Sequence, residues 1–172
     1  MKTFDLRSIR VRSGEEHREE VELELTPLEY GGERYVPVPD TVPAELTVAR
    51  ASTGTVFGLR FTTRLHGPCY RCLADAVLDV DIHAREYQAT NPGEEEELRT
   101  PYLVDSKLDV QGWARDAVAL SLPEQILCRP DCAGLCPVCG KDLNVEPHEH
   151  AEAATDPRWA ALEALRSDAG DD

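Results

Sequence analysis

The chain has 172 residues, 41% of them apolar, enough for one domain or for a domain with a small module. Its formal net charge of −15 argues against bulk binding of nucleic acid, which needs dense Lys and Arg on the phosphates, and suits either simple solvation or a basic protein partner. No apolar run approaches the roughly 18 residues of a membrane span, and MKTFDLRSIR lacks the apolar run of a secretion signal, so a soluble, cytoplasmic protein with no membrane contact is expected.

Residues 1–12 are mildly basic, and Phe4, Leu6 and Ile9 can anchor a short strand. Residues 13–19 are charged and read as loop. EVELEL, Glu20 to Leu25, alternates strictly and predicts a half-buried strand. The proline- and glycine-rich stretch 26–43 predicts turns, with a short edge strand near Arg34 to Val38, and a further strand is predicted over Glu45 to Ala51. Thr55 to His66 is the clearest strand. Phe57, Leu59, Phe61 and Leu65 share one face, and Arg60, Thr62, Arg64 and His66 share the other. Ala76 to Tyr87 repeats the pattern, with Leu78, Val80, Ile82 and Ala84 against Asp79, Asp81, His83 and Arg85. The two runs flank GPCYRC and predict an antiparallel hairpin with Cys69 and Cys72 at its tip.

Residues 88–100, with Asn91-Pro92-Gly93 and Glu94 to Glu97, read as an exposed loop. Asp109 to Leu122 predicts a helix. Asp109 caps it, Val110, Trp113, Ala114, Ala117, Val118 and Ser121 form its buried face, and Pro123 ends it. Asp156-Pro157 predicts the start of a second short helix, to about Arg166, burying Trp159, Leu162 and Leu165. The tail 167–172 is expected to be disordered. The expected class is α+β: an antiparallel β-rich core with one helix over 1–122, then a metal-binding C-terminal segment over 123–166 packed on it.

The chemistry is concentrated in CRPDCAGLCPVCG, Cys128 to Gly140, which holds four of the six cysteines. Cys69 and Cys72 form a C-x2-C pair upstream, and His148 and His150 an H-x-H pair downstream. A C-x2-C turn aims two sulfurs at one point, which suits tetrahedral zinc. In CPVCG, Pro137 pre-sets the turn and Gly140 can take the positive φ that follows the second cysteine. Cys69, Cys72, Cys128, Cys132, Cys136, Cys139, His148 and His150 make eight candidate ligands, the number two tetrahedral ions need. Two pairings fit. In the first, which we prefer, Cys69, Cys72, Cys128 and Cys132 hold one ion and Cys136, Cys139, His148 and His150 the other. In the second, the two C-x2-C turns face each other, leaving Cys128, Cys132, His148 and His150 together. Without export, clustered cysteines point to metal or redox chemistry and not to disulfides. Residues 123–155 offer few large apolar groups, mainly Ile126, Leu127, Leu135, Val138, Leu143 and Val145, so their order is expected to depend on metal.

Catalytic patterns are weak. The zinc-deaminase signature runs H-x-E and then P-C-x-x-C, whereas here the cysteine pair precedes His148-Glu149-His150. A thiol oxidoreductase would use Cys136 and Cys139, but no βαβ pattern surrounds them. No phosphate loop, nucleophile elbow or carboxylate pair stands out, so neither an enzyme nor a small-molecule substrate is expected.

CYRCL after an alternating strand, a helix ending in LP, then GLCPVCGKDLN and DPRWAALEAL, together resemble the YceD family of bacterial and plastid proteins linked to accumulation of large-subunit ribosomal RNA. The resemblance runs from about Phe57 to Leu165. The family pattern ends in C-x-C where this chain has His148-Glu149-His150, a replacement that keeps zinc-binding capacity. The resemblance implies ribosome biogenesis, in processing or protecting the large-subunit RNA, and no enzymatic mechanism. Its implied partners are pre-ribosomal large-subunit RNA or a basic ribosomal protein. Direct RNA contact would fall to a local basic face: Arg60 and Arg64 on the outer side of the hairpin with Tyr70 and Arg71 at its tip, extended by Arg7, Arg10 and Arg12. The competing reading is that these arginines pair across strands with Asp79 and Asp81.

Overall fold

The computed structural model describes residues 3–93 and 95–150. Contacts divide the chain into two units, residues 1–132 and 133–172. In the first, β1 (Phe4–Asp5) is followed by a short 3-10 turn at Leu6–Ser8, then by β2 (Glu16–Glu24), β3 (Leu28–Tyr30), β4 (Glu33–Pro37), β5 (Thr41–Arg50), β6 (Gly54–Pro68) and β7 (Asp75–Ala89). A second 3-10 turn at Glu96–Leu98 leads to β8 (Leu103–Val104), β9 (Lys107–Leu108) and α1 (Val110–Leu120).

The main sheet is antiparallel and built around β6. One edge of β6 pairs with β5 along Thr55–Arg60 and with β4 at Leu65 and His66; the other pairs with β7 over its whole length, from Gly54↔Ala89 to Pro68↔Asp75. β2 lies outside β5, and β3 outside β4. A small second sheet has the order β1-β9-β8.

Alternation decides which face is buried. Leu23, Val42, Ala44, Leu46, Val48, Phe57, Leu59, Phe61, Leu65, Val80 and Ile82 are all buried on one side. α1 contributes Val110, Trp113, Ala114, Ala117 and Val118 to the core. Its start is fixed as its sequence predicts: the Asp109 carboxylate accepts from the Gly112 N–H at 3.0 Å. At its end the Ser121 hydroxyl donates to the Ala117 carbonyl at 2.8 Å. Trp113 is 2% exposed and stacks on Tyr102 with ring centroids 6.2 Å apart, so it anchors the core.

The strand boundaries depart from expectation in instructive places. Residues 16–19, read from their charge as loop, begin β2, because an edge strand with a solvated outer face tolerates charge at most positions. β5 likewise starts at Thr41, four residues before the predicted Glu45, since Pro43 takes a ladder position opposite Glu22. The 88–100 stretch is less open than an exposed loop: Gln88 and Ala89 close β7, the Gln88 side-chain carbonyl accepts from Thr100 N at 3.2 Å, and Thr100 is 3% exposed. One α-helix occurs among the described residues. The second predicted helix, 156–166, and the tail 167–172 lie outside them.

Residues 133–150 of the second unit hold an antiparallel bridge between Leu135 and Asp142 and no longer element. Side-chain polar bonds shape the turn. Asp142 Oδ1 accepts from Asn144 N at 2.8 Å and from Asn144 Nδ2 at 2.6 Å, and Asn144 Oδ1 accepts from Ala133 N at 2.8 Å. Among these residues Cys136 is the one buried apolar side chain, while Val138 and Val145 are exposed.

Candidate metal centres

The first centre sits at the tip of the β6–β7 hairpin. After Pro68 the chain turns through Cys69–Ala74. Cys69 N donates to Ala74 O at 2.7 Å, and Leu73 N donates to Cys69 O at 3.0 Å with Leu73 at φ +62°. That left-handed residue lets the turn close with both sulfurs on one side. The segment after α1 is strapped to this turn. Tyr70 N donates to Ile126 O at 2.8 Å, and Arg71 Nη1 donates to Cys132 O at 3.0 Å. Cys69 Sγ then lies 3.8 Å from Cys132 Sγ, and Cys72 Sγ 3.6 Å from Cys128 Sγ. All four sulfurs fall within 4.8 Å of one another. Cys69, Cys72 and Cys132 are buried, and Cys128 is the most open of the four.

The cluster's electrostatics favour a cation. Burial pushes the Cys69 thiol up, but hydrogen bonds from the backbone of Cys128, Cys72 and Arg71 outweigh it and bring the group down to about 6. Desolvation, followed by side-chain hydrogen bonds to Cys72, Cys132 and Cys69, pushes the Cys128 thiol up to about 12. The fold itself therefore favours the thiolate at Cys69, and gathering further thiolates around it calls for a positive charge at their centre.

The second centre repeats the turn. Cys136 N donates to Lys141 O at 2.8 Å, Gly140 N donates to Cys136 O at 2.8 Å, and Gly140 has φ +72°. Gly140 thus occupies the position Leu73 holds in the first turn, where only glycine is free of steric cost. Hydrogen bonding from Cys139 N leads the causes that lower the Cys136 thiol to about 6. His148 Nε2 lies 3.1 Å from Cys139 Sγ, and His150 meets His148 edge-on with centroids 4.9 Å apart. The four ligand atoms of Cys136, Cys139, His148 and His150 again fall within 4.8 Å of one another. His148 Nδ1 is 2.7 Å from the Glu146 carbonyl. A carbonyl can only accept, so Nδ1 carries the hydrogen, and in the neutral ring Nε2 keeps its lone pair toward the sulfurs.

Both donor sets fit a tetrahedral ion on geometry. Sulfurs about 2.3 Å from a common centre stand about 3.8 Å apart; two S–S separations of the first set are 3.6 and 3.8 Å, and the ligand atoms of the second lie within 4.8 Å of one another. No disulfide joins any of the six cysteines. Four soft sulfurs, or two sulfurs with two imidazoles, select a thiophilic metal over magnesium or calcium. The eight predicted ligands are thus gathered into two sets, grouped as in the first of the two pairings that spacing allows.

The predicted basic face is not gathered in the same way. Arg64 donates to both oxygens of Asp79, at 2.6 and 3.2 Å, and is engaged there. Arg71 is committed to Cys132 O and, at 3.4 Å, to Gln125 Oε1. Tyr70 is 51% exposed. Arg7 is held by Asp5 at 3.0 Å, and Arg12 takes a Glu15 carboxylate on its backbone N–H at 2.9 Å. Arg60 stands in the ladder between His83 and Glu45, and its side chain makes no hydrogen bond or ion pair among the described residues. Its neighbours on that face include Arg18 and Arg85, both absent from the predicted set. Arg85 is visible on the outward side of its strand; Arg18 falls in the charged stretch that reads as loop.

Comparison with known proteins agrees with the sequence resemblance. A family profile described as "Large ribosomal RNA subunit accumulation protein YceD" matches residues 57–166. An uncharacterised protein of Mycobacterium tuberculosis is 37% identical over 124 residues, 69% of this chain and 58% of the relative. A Mycobacterium leprae protein is 32% identical over 145 residues, covering 81% of this chain and 62% of the relative. YlbN of Bacillus subtilis is 30% identical over 155 residues, 87% of each chain. The chain thus spans about three fifths of the length of the mycobacterial proteins and most of YlbN. No solved structure matches the chain. With the profile covering well over half of the chain, from the middle strand of the sheet through both cysteine turns, this protein belongs to the YceD family.

Proposed function

We propose that this protein is a non-enzymatic, cytoplasmic ribosome-biogenesis factor that supports accumulation or processing of large-subunit ribosomal RNA, with two zinc ions as structural clamps. The observation that carries the reading is the family match, which runs from Phe57 through both ligand sets. Zinc suits both donor sets, four cysteines in one and two cysteines with two histidines in the other, and would supply a rigid cross-link in each. The chain's own residues do the positioning. Two backbone turns aim the cysteine pairs, Arg71 ties the Cys132 carbonyl to the hairpin tip, and the Glu146 carbonyl sets the His148 tautomer. Full coordination by protein ligands leaves no open position for a hydrolytic water.

Affinity purification from growing cells tests the role. Co-purification of precursor large-subunit particles supports it, and recovery free of ribosomal RNA and ribosomal proteins rejects it. Metal analysis tests the clamp: two tightly held zinc ions per chain are expected, and a zinc-free, fully folded protein rejects it. The net charge of −15 favours a second reading, in which the protein shields a basic ribosomal protein. A single free basic protein in the same purification would select that reading.

A further inference from the structure

The outer face of the main sheet carries a trough of about 270 Å³ that neither metal centre uses. The ladder register builds it. Thr47, Gly58 and Arg85 stand in one row across β5, β6 and β7, with Arg18 of β2 opposite Thr47. The next row sets Glu45, Arg60 and His83 side by side. Gly58 is the floor. A Cβ there would come within 2.3 Å of Thr47 Oγ1 and push that hydroxyl aside, so glycine keeps the trough low.

Three features of this trough point to a ligand. Arg60 and Arg85 make no hydrogen bond or ion pair among the described residues, although the chain carries a net charge of −15. Two guanidiniums left unpaired over one trough of an acidic protein are suited to a phosphate, which arginine binds through two parallel N–H groups. The local acids are partly neutralised: Glu16 is engaged by Arg18, while Glu45 remains on the β5 wall. Third, Tyr87, outside the trough's lining, stands two residues beyond Arg85 on the same face, half-buried, with its ring lying across Gly54, where a Cβ would come within 2.7 Å of it. A ring laid over the sheet beside unpaired arginines is the arrangement that stacks an unpaired base while its phosphate is held.

We propose that Arg60 and Arg85, with Tyr87 as stacking platform, bind the backbone and a base of single-stranded RNA across the Gly58 trough. The proposal rests on the ribosomal-RNA reading above and moves the contact from the hairpin tip to the middle of the sheet. Arg64 does not take part, because Asp79 already holds it.

Fluorescence anisotropy with a labelled single-stranded oligoribonucleotide and the zinc-loaded full chain provides the test. Arg60→Ala/Arg85→Ala is expected to weaken binding about tenfold at low salt and to flatten the log K against log salt slope by about 1.4, two phosphate contacts at about 0.7 each. Tyr87→Leu is expected to weaken binding about fivefold or more, and Tyr87→Phe to leave it unchanged. Arg34→Ala/Arg115→Ala removes the same charge from elsewhere and should bind as wild type. Thermal melts of every variant confirm that it folds. Wild-type affinity and salt slope in Arg60→Ala/Arg85→Ala would overturn the site while leaving the purification result, and so the ribosomal role, intact. Preference for a duplex, or displacement by millimolar inorganic phosphate at constant ionic strength, would also overturn it.

Discussion

The two cysteine turns share a backbone and differ in everything around it. Each has the N–H of its first cysteine bonded to the carbonyl five residues on, and a left-handed residue directly after its second cysteine. The first turn grows from a 15-residue hairpin strand in a unit with a large buried core, and three of its four sulfurs are buried. The second stands among the described residues 133–150, of which only Cys136 is a buried apolar side chain, and its candidate ligands Cys139 and His150 are exposed. An ion in the first turn would therefore finish a fold already formed, and one in the second would have to create order among residues 133–150. Where hydrophobic burial already offsets the chain's conformational entropy, an ion adds a local clamp. Where it does not, the ion's binding energy is the folding energy.

The largest effect should come from removing metal. A structural zinc site contributes on the order of 10–16 kcal/mol of apparent binding energy. Chelation is expected to expose residues 133–150 to protease while the β6–β7 hairpin stays protected. Protection of both regions without metal would show that residues 133–150 hold themselves together without an ion. Phe57→Ala probes it from the other side. Phe57 is fully buried, and its truncation should lower the stability of the first unit by about 3–5 kcal/mol. Zinc affinity at the Cys136 set should not change, which calorimetry on the folded variant would show.

Smaller changes sharpen the contrast between the turns. Gly140→Ala places a Cβ in open space, so its cost is that of the left-handed backbone alone, about 1 kcal/mol, read as weaker zinc retention at the second centre. Leu73→Gly should do the opposite, raising the first unit's unfolding midpoint slightly. Leu73 is 58% exposed and gives up little packing there. Smallest of all, Arg64→Ala should leave the thermal midpoint where it is, since the Arg64–Asp79 pair is solvated on both sides.

The sequence makes some of this architecture plain and hides the rest for physical reasons. Phe57, Leu59 and Phe61 against Arg60 and Thr62 can belong only to a half-buried strand, and β6 emerges as read. EHRE at the start of β2 carries no such signal, because at a sheet edge both faces can stay wet. The two-residue strands β8 and β9 are too short for any period to show. The eight ligands are legible by residue type. Their grouping is not, because the Tyr70–Ile126 backbone bond that brings Cys128 and Cys132 to the hairpin tip leaves no trace in spacing. For the arginines, position along the strand does not decide. Asp79 faces Arg64 and binds it, whereas Arg60 lies between Glu45 and His83 and its side chain makes no hydrogen bond or ion pair among the described residues.

The Cys69–Cys132 contact spans 63 positions of sequence and the Cys72–Cys128 contact 56. Everything between them, from the returning strand of the hairpin to α1, has to be in place before those sulfurs can meet, and closing so long a loop early is entropically unfavourable. A chain still emerging during synthesis lacks half of the ligand set until its helix has been made. An ion held by all four sulfurs would therefore mark a chain whose sheet and helix are already assembled.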